Sequence, residues 1–113
     1  MIPKERAAEY CQIQHSSPYM MHAVLVQEKK AEEIAATVHV DGTCRMQTVN
    51  KHDLLKFYAL LLAFEKTAGI PVILNASLNI KAQPVVETSE EALQSFQSTN
   101  IDGLVLQDFV IEK

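Results

Sequence analysis

The sequence predicts an α/β or α+β fold: one domain over residues 1–113, a twisted mixed sheet with helices packed on it. Three observations carry this. Apolar residues recur at three and four positions from Asp53 to Ala68, the period of a helix. Thr43 to Val49 alternates strictly, the period of a strand. Along the chain the order reads strand, excursion, strand, helix, strand, helix, strand, the pattern of a layered mixed fold. Hydrophobic residues make up 48%, enough for a core, and 21% charge with three Gly and four Pro argues against disorder.

Lys4 to Gln12 reads as a short helix or the last turns of one, and Ser16-Ser17-Pro18 as a loop, because proline holds the residue before it extended. His22 to Gln27 reads as a strand. Lys29 to Thr37, charged and Ala-rich, fits a short helix or a surface excursion. Asp41-Gly42 is a turn pair. In the strand that follows, Cys44, Met46 and Thr48 form the core-facing set; Arg45 and Gln47 point the other way. In the helix over 53–68, Leu54, Phe57, Tyr58, Leu61, Phe64 and Ala68 form a stripe that Leu55 and Leu62 widen, so most of its circumference is expected to be covered. Asp53 is the expected N-cap and Gly69 the C′ residue. Ile70 to Leu74 reads as a buried strand. Thr88-Ser89-Glu90-Glu91 has capping-box spacing and opens a helix with Ala92, Leu93 and Phe96 inward, ending near Asn100. Leu104 to Ile111 reads as a closing strand.

Net charge is −4 and the pI about 5.5, which argues against broad nucleic-acid or anionic-membrane binding but leaves room for a local basic pocket. The two cysteines, Cys11 and Cys44, are too few for a disulfide scaffold and form no zinc motif, so free thiols in a reducing cytoplasm are expected. No signal peptide is apparent after Met1, and no apolar run approaches the roughly 18 residues of a membrane span.

Asn75, Ser77 and Asn79 follow the apolar run 70–74 at every second position. In an extended backbone they share one face, and ligands of α/β sheets collect where strands end. Such a row suits a carbamoyl, ribose or phosphate group; the plainer reading is that these side chains end the strand by Asx- and ST-type turns. Arg45, the one cation inside an expected strand, can hold a phosphate or carboxylate through its planar fork, or stand as a solvated surface arginine. Tyr19 could stack on a purine and Met20 and Met21 form the apolar wall of a base pocket, or all three anchor a loop. His39 and Asp41 suit an acid–base pair or a turn; a metal site needs further ligands. Ser77 has no nucleophile elbow around it, and three glycines make no phosphate loop.

Ser17-Pro18-Tyr19-Met20, the stretch His39 to Val49 (HVDGTCRMQTV), and Leu74 to Asn79 (LNASLN) occur in an order that resembles the C-terminal domain of O-carbamoyltransferases of the nodulation and antibiotic-tailoring type, whose patterns are close to SPFM, HVDGTARxQTV and LLNTSFN. Gln83 to Val86, Ser89 to Ala92 and Asp102 to Phe109 extend the resemblance over nearly the whole chain. It implies a YrdC-like α/β fold, and leaves open whether the first strand is included. It implies binding of ATP and carbamoyl phosphate and formation of carbamoyl adenylate. A larger N-terminal transferase domain, upstream or in another chain, then passes the carbamoyl group to a hydroxyl. By motif position Arg45, the catalytic candidate, would hold the phosphate or carbamoyl end. Asn75 and Ser77 would hold the adenylate with Asn79 in support, and Tyr19 and Met20 would line the nucleotide pocket. Mg²⁺ would arrive with ATP, and no metal would be held by this chain.

The family's basic KxR and RPFAP motif would fall at or before Met1, and one arginine does not match the charge of ATP plus carbamoyl phosphate. The sequence therefore implies a carbamoyltransferase domain incomplete in catalysis alone. The alternatives are a non-catalytic binding or assembly module derived from it, or an unrelated domain whose polar row only ends a strand. An uncovered sheet edge and apolar surface would favour self-association into a homo-oligomer.

Overall fold

The computed structural model describes residues 1–80 and 82–113. The α+β class holds. The chain forms two compact units, 1–75 and 76–113.

In the first unit, β1 (Ile2–Pro3) leads through a 3₁₀ turn into α1 (Ala7–Tyr10), so the expected helix over 4–12 is one α-helical turn with a 3₁₀ lead-in. The expected strand over 22–27 is β2 (Ala23–Leu25), and the excursion after it consists of two 3₁₀ turns, Glu28–Lys30 and Ala35–Thr37. The expected strand over 43–49 is present in two pieces, β3 (Thr43–Arg45) and β4 (Thr48–Val49). It divides because it serves two partners: β3 pairs antiparallel with β2 in the register Val24↔Cys44, and β4 pairs parallel with β1 in the register Ile2↔Thr48. The strands thus pair two by two. Cys44, Met46 and Thr48 are buried, as the alternation requires, and Cys44 and Met46 pack with Ile2, Tyr10, Cys11, Val26 and Ile34.

The helix α2 (Leu55–Ala68) ends on Gly69 at φ +80°, the left-handed cap that glycine adopts without steric cost. Asp53 does not cap it. It lies in a turn closed by Asn50, whose carbonyl accepts from Asp53 N at 3.2 Å and whose Oδ1 accepts from His52 N at 3.2 Å; Leu54 is the N-cap and has no side-chain acceptor to offer. The expected covering of α2 is also corrected. Leu61 is buried, but Leu55, Phe57, Leu60 and Phe64 are 61%, 49%, 52% and 39% exposed. The helix is held along one side, by Arg6–Glu65 at 2.7 Å and by the Tyr58 hydroxyl donating to Glu5, and a two-stranded sheet is too small to cover the rest.

Residues 70–74 do not form a regular strand. Only Ile73 pairs, donating to and accepting from the Met1 backbone at 3.0 and 2.6 Å. Pro71, which has no N–H to give a ladder, is buried within this run.

In the second unit, α3 (Ser89–Ser98) opens with the capping box the sequence predicts. Thr88 Oγ1 accepts from Glu91 N at 3.2 Å while Glu91 Oε2 accepts from Thr88 N at 3.1 Å. The backbone N–H groups of Glu87, at 2.9 Å, and Thr88 donate to the Glu91 carboxylate and hold it below its usual range. Thr88→Ala should destabilise the second unit by about 1 kcal/mol, the usual worth of a cap, measured by chemical denaturation. Ala92 and Phe96 pack against Leu104. The single strand expected over 104–111 is a hairpin, β5 (Gly103–Leu106) and β6 (Phe109–Glu112), turning at Gln107, which takes φ +54° without being glycine. Among the described residues, no helix is long and apolar enough to cross a membrane.

Candidate functional site

The first unit contains a cavity of about 200 Å³. Ile34, Met46 and Val72 supply apolar wall, and Arg45, His39 and Asn75 supply polar groups. Its geometry follows from the break between β3 and β4. Arg45 ends β3 with an exposed side chain, and Gln47, two residues on, lies half-buried in the gap. Arg45 Nη2 donates to Met20 O at 3.2 Å. Gln47 Nε2 donates to Pro18 O at 3.0 Å, and Gln47 Oε1 accepts from Asn75 Nδ2 at 2.8 Å. Three stretches far apart in sequence, 17–20, 45–48 and Asn75, therefore meet at one place.

The 17–20 loop is pinned from beneath. Buried Ser17 donates from its backbone N to Thr48 Oγ1 at 2.8 Å and from Oγ to Met46 O at 3.1 Å, and accepts from Thr48 N at 2.9 Å. Met20 then holds φ +56°, a backbone conformation an L residue adopts only when its surroundings impose it. That conformation accompanies the Met20 carbonyl's bond from Arg45, and the Met20 side chain lines the cavity.

Of the site residues expected from sequence, Arg45, Met20 and Asn75 come together at the cavity. Tyr19 is 81% exposed and does not line it. Ser77 and Asn79 belong to the second unit, where Asn79 Nδ2 donates to Gln83 O at 3.0 Å and to Ile80 O at 3.4 Å, the work of a turn. Gln47 and Ser17 were not singled out as site residues by sequence reasoning. Both lie within the motifs that carry the family resemblance, and Gln47 had the further signal of its place two residues from Arg45 in an alternating strand.

His39 and Asp41 form a turn rather than a catalytic pair. Asp41 Oδ1 accepts from Thr43 Oγ1 at 2.7 Å and Thr43 N at 3.0 Å, His39 Nδ1 lies 3.1 Å from Thr43 Oγ1, and Gly42 sits at φ +78°. The Thr43 bonds hold the Asp41 carboxyl below its usual range. Their stabilisation is present above the ordinary Asp pKa of about 3.9 and is lost as pH falls through the lowered value. An NMR titration of the Asp41 carboxyl should accordingly give a midpoint below the ordinary aspartate value of about 3.9. His15 and His22 stack edge to face with ring centroids 5.0 Å apart.

The family model of the carbamoyltransferase C-terminus matches residues 1–113. The chain is 35% identical over 115 residues to the nodulation protein NolNO of Sinorhizobium fredii, covering 99% of this chain and 17% of that protein. It is 34% identical over 113 residues to the nodulation protein NolO of Bradyrhizobium diazoefficiens, covering 97% and 21%. It is 31% identical over 91 residues to the 3'-hydroxymethylcephem-O-carbamoyltransferase of Amycolatopsis lactamdurans, covering 80% and 17%. The chain thus spans about a fifth of the length of these relatives. With the family model matching along its whole length, the chain belongs to the carbamoyltransferase C-terminus family.

Proposed function

We propose that the cavity of the first unit is the phosphate- and carbamoyl-holding part of a carbamoyltransferase. It would take carbamoyl phosphate and ATP, with Mg²⁺ carried by the nucleotide, toward carbamoyl adenylate. A larger transferase domain, elsewhere in the same polypeptide or in a partner, would pass the carbamoyl group to an acceptor hydroxyl. The observation that carries this reading is the meeting of Arg45, Gln47 and Asn75 beside an apolar cavity. Arg45 uses one nitrogen on Met20 and keeps the rest of its fork for an anion. The Gln47 and Asn75 amides offer the donors and acceptors that a planar carbamoyl group requires. Charge accumulating on a phosphoryl centre is stabilised by fixed cations and amide donors, so this chemistry needs no acid or base of unusual type.

Calorimetric titration of the purified chain with ATP, with and without carbamoyl phosphate, tests the reading. Saturable heat with carbamoyl phosphate is expected. No heat with either ligand would sink the idea that this chain carries a working part of the site.

A second reading, an assembly module, is favoured by the exposed apolar side chains of α2. Under it, α2 packs against a second copy, because contiguous exposed apolar surface is a docking surface or a liability. Light scattering at high micromolar concentration should then give a dimer or larger species, and Leu60→Glu should return it toward monomer. A strictly monomeric chain at that concentration would rule the second reading out.

A further inference from the structure

Cys11 and Cys44 are both free and buried, with Sγ atoms 3.3 Å apart. They flank β2 from opposite sides. Cys11 bridges Val26, with Gln12 N donating to Leu25 O and Gln27 N donating to Tyr10 O; Cys44 pairs with Val24 on the other side, where Val26 N donates to Gly42 O. Val24 and Val26 lie two apart and share a face, so the two thiols meet across that face. Each cysteine also lines a depression. Cys44 lines the Arg45 cavity, and Cys11 lines a separate depression formed by Ala8, Gln12 and His15. Nothing in the proposed carbamoyl chemistry uses either sulfur.

We infer that Cys11 and Cys44 form a reversible dithiol–disulfide couple, oxidised by hydroperoxides, that draws the two flanks of β2 together beside Arg45. Either sulfur can donate across the 3.3 Å contact; with the proton held on Cys11, the bond brings Cys44 down to about 7 against the opposing effect of burial and pushes Cys11 up. A substantial thiolate fraction on Cys44 near neutral pH makes it the attacking sulfur and leaves Cys11 as the resolving one. In the first step the Cys44 thiolate attacks the peroxide O–O bond. It becomes a sulfenic acid and releases hydroxide, which takes up the proton Cys44 had lost. In the second step the Cys11 sulfur attacks the Cys44 sulfur, and the hydroxyl leaves as water with the Cys11 proton. The two sulfurs together give up two electrons, and one hydrogen peroxide becomes two waters. The sulfurs must approach by about 1.2 Å to reach disulfide length, across an intervening strand.

The purified chain, treated with excess hydrogen peroxide and then denatured, gives the test. The expected result is loss of both free thiols and an intact mass lighter by two hydrogens. One chain's Cys11 and Cys44 peptides should be joined, and dithiothreitol should restore both thiols. Cys11→Ser should leave Cys44 as a sulfenic acid that dimedone captures. Retention of both thiols, gain of oxygen on Cys44 with Cys11 still free in the unsubstituted chain, or disulfides only between chains would each overturn the inference.

Discussion

Arg45→Ala is expected to weaken carbamoyl phosphate binding about ten- to a hundredfold. A hydrogen bond to a charged group contributes roughly 1.5–3 kcal/mol, and each 1.4 kcal/mol is about a factor of ten. Arg45 combines a full charge with a fork that grips two oxygens at once, so Arg45→Lys should recover part of the affinity and not all of it. Because Arg45 also donates to Met20 O, the variant needs a folding control: circular dichroism and a melting curve close to those of the parent chain. With the fold intact, unchanged affinity in Arg45→Ala would remove Arg45 from the site.

Thr48→Val carries the largest expected loss of stability. The substitution keeps the shape of the side chain and removes the hydroxyl that accepts from Ser17 N at 2.8 Å and meets Ser16 Oγ at 3.1 Å. Ser17 is buried, so its N–H is left without a partner, at a cost of about 1–3 kcal/mol. Chemical denaturation should register that loss. The same change should loosen the 17–20 loop, and with it the Met20 carbonyl and side chain at the cavity. Carbamoyl phosphate affinity should therefore fall although Thr48 does not line the cavity. A variant with parental stability would show that Thr48 does not hold this loop.

The parts of the fold that were legible in the sequence are those set by local chemistry. Thr88 and Glu91 determine where α3 begins, because both halves of their capping box lie within four residues. The alternation of 43–49 correctly buried Cys44, Met46 and Thr48 and turned Arg45 outward. The features that were not legible depend on partners distant in sequence or, in one hairpin, on a turn residue of unusual type. The division between β3 and β4 arises from a change of neighbouring strand, which alternation does not record. The hairpin at 103–112 turns on Gln107, a residue without a turn signature, so its two strands read as one. The α2 stripe was correctly helical, but burial is a property of what lies opposite, and only Leu61 finds cover.

The site follows the same division. Arg45 and Asn75 stood out by type and spacing. Their meeting through Gln47 and the 17–20 loop required the fold. The row of Asn75, Ser77 and Asn79 assumed an extended backbone; instead Asn75 bonds Gln47 in the first unit, and Asn79 closes a turn in the second.

The most direct test of the central claim, that the Arg45 cavity holds the phosphate and carbamoyl groups, is amide and side-chain NMR of the ¹⁵N-labelled chain titrated with carbamoyl phosphate. The expected result is a saturable shift of the Arg45 Nε–H and of the Gln47 and Asn75 side-chain amides, together with the Met20 and Met46 backbone. Shifts confined to other surfaces, or none at saturating ligand, would contradict it.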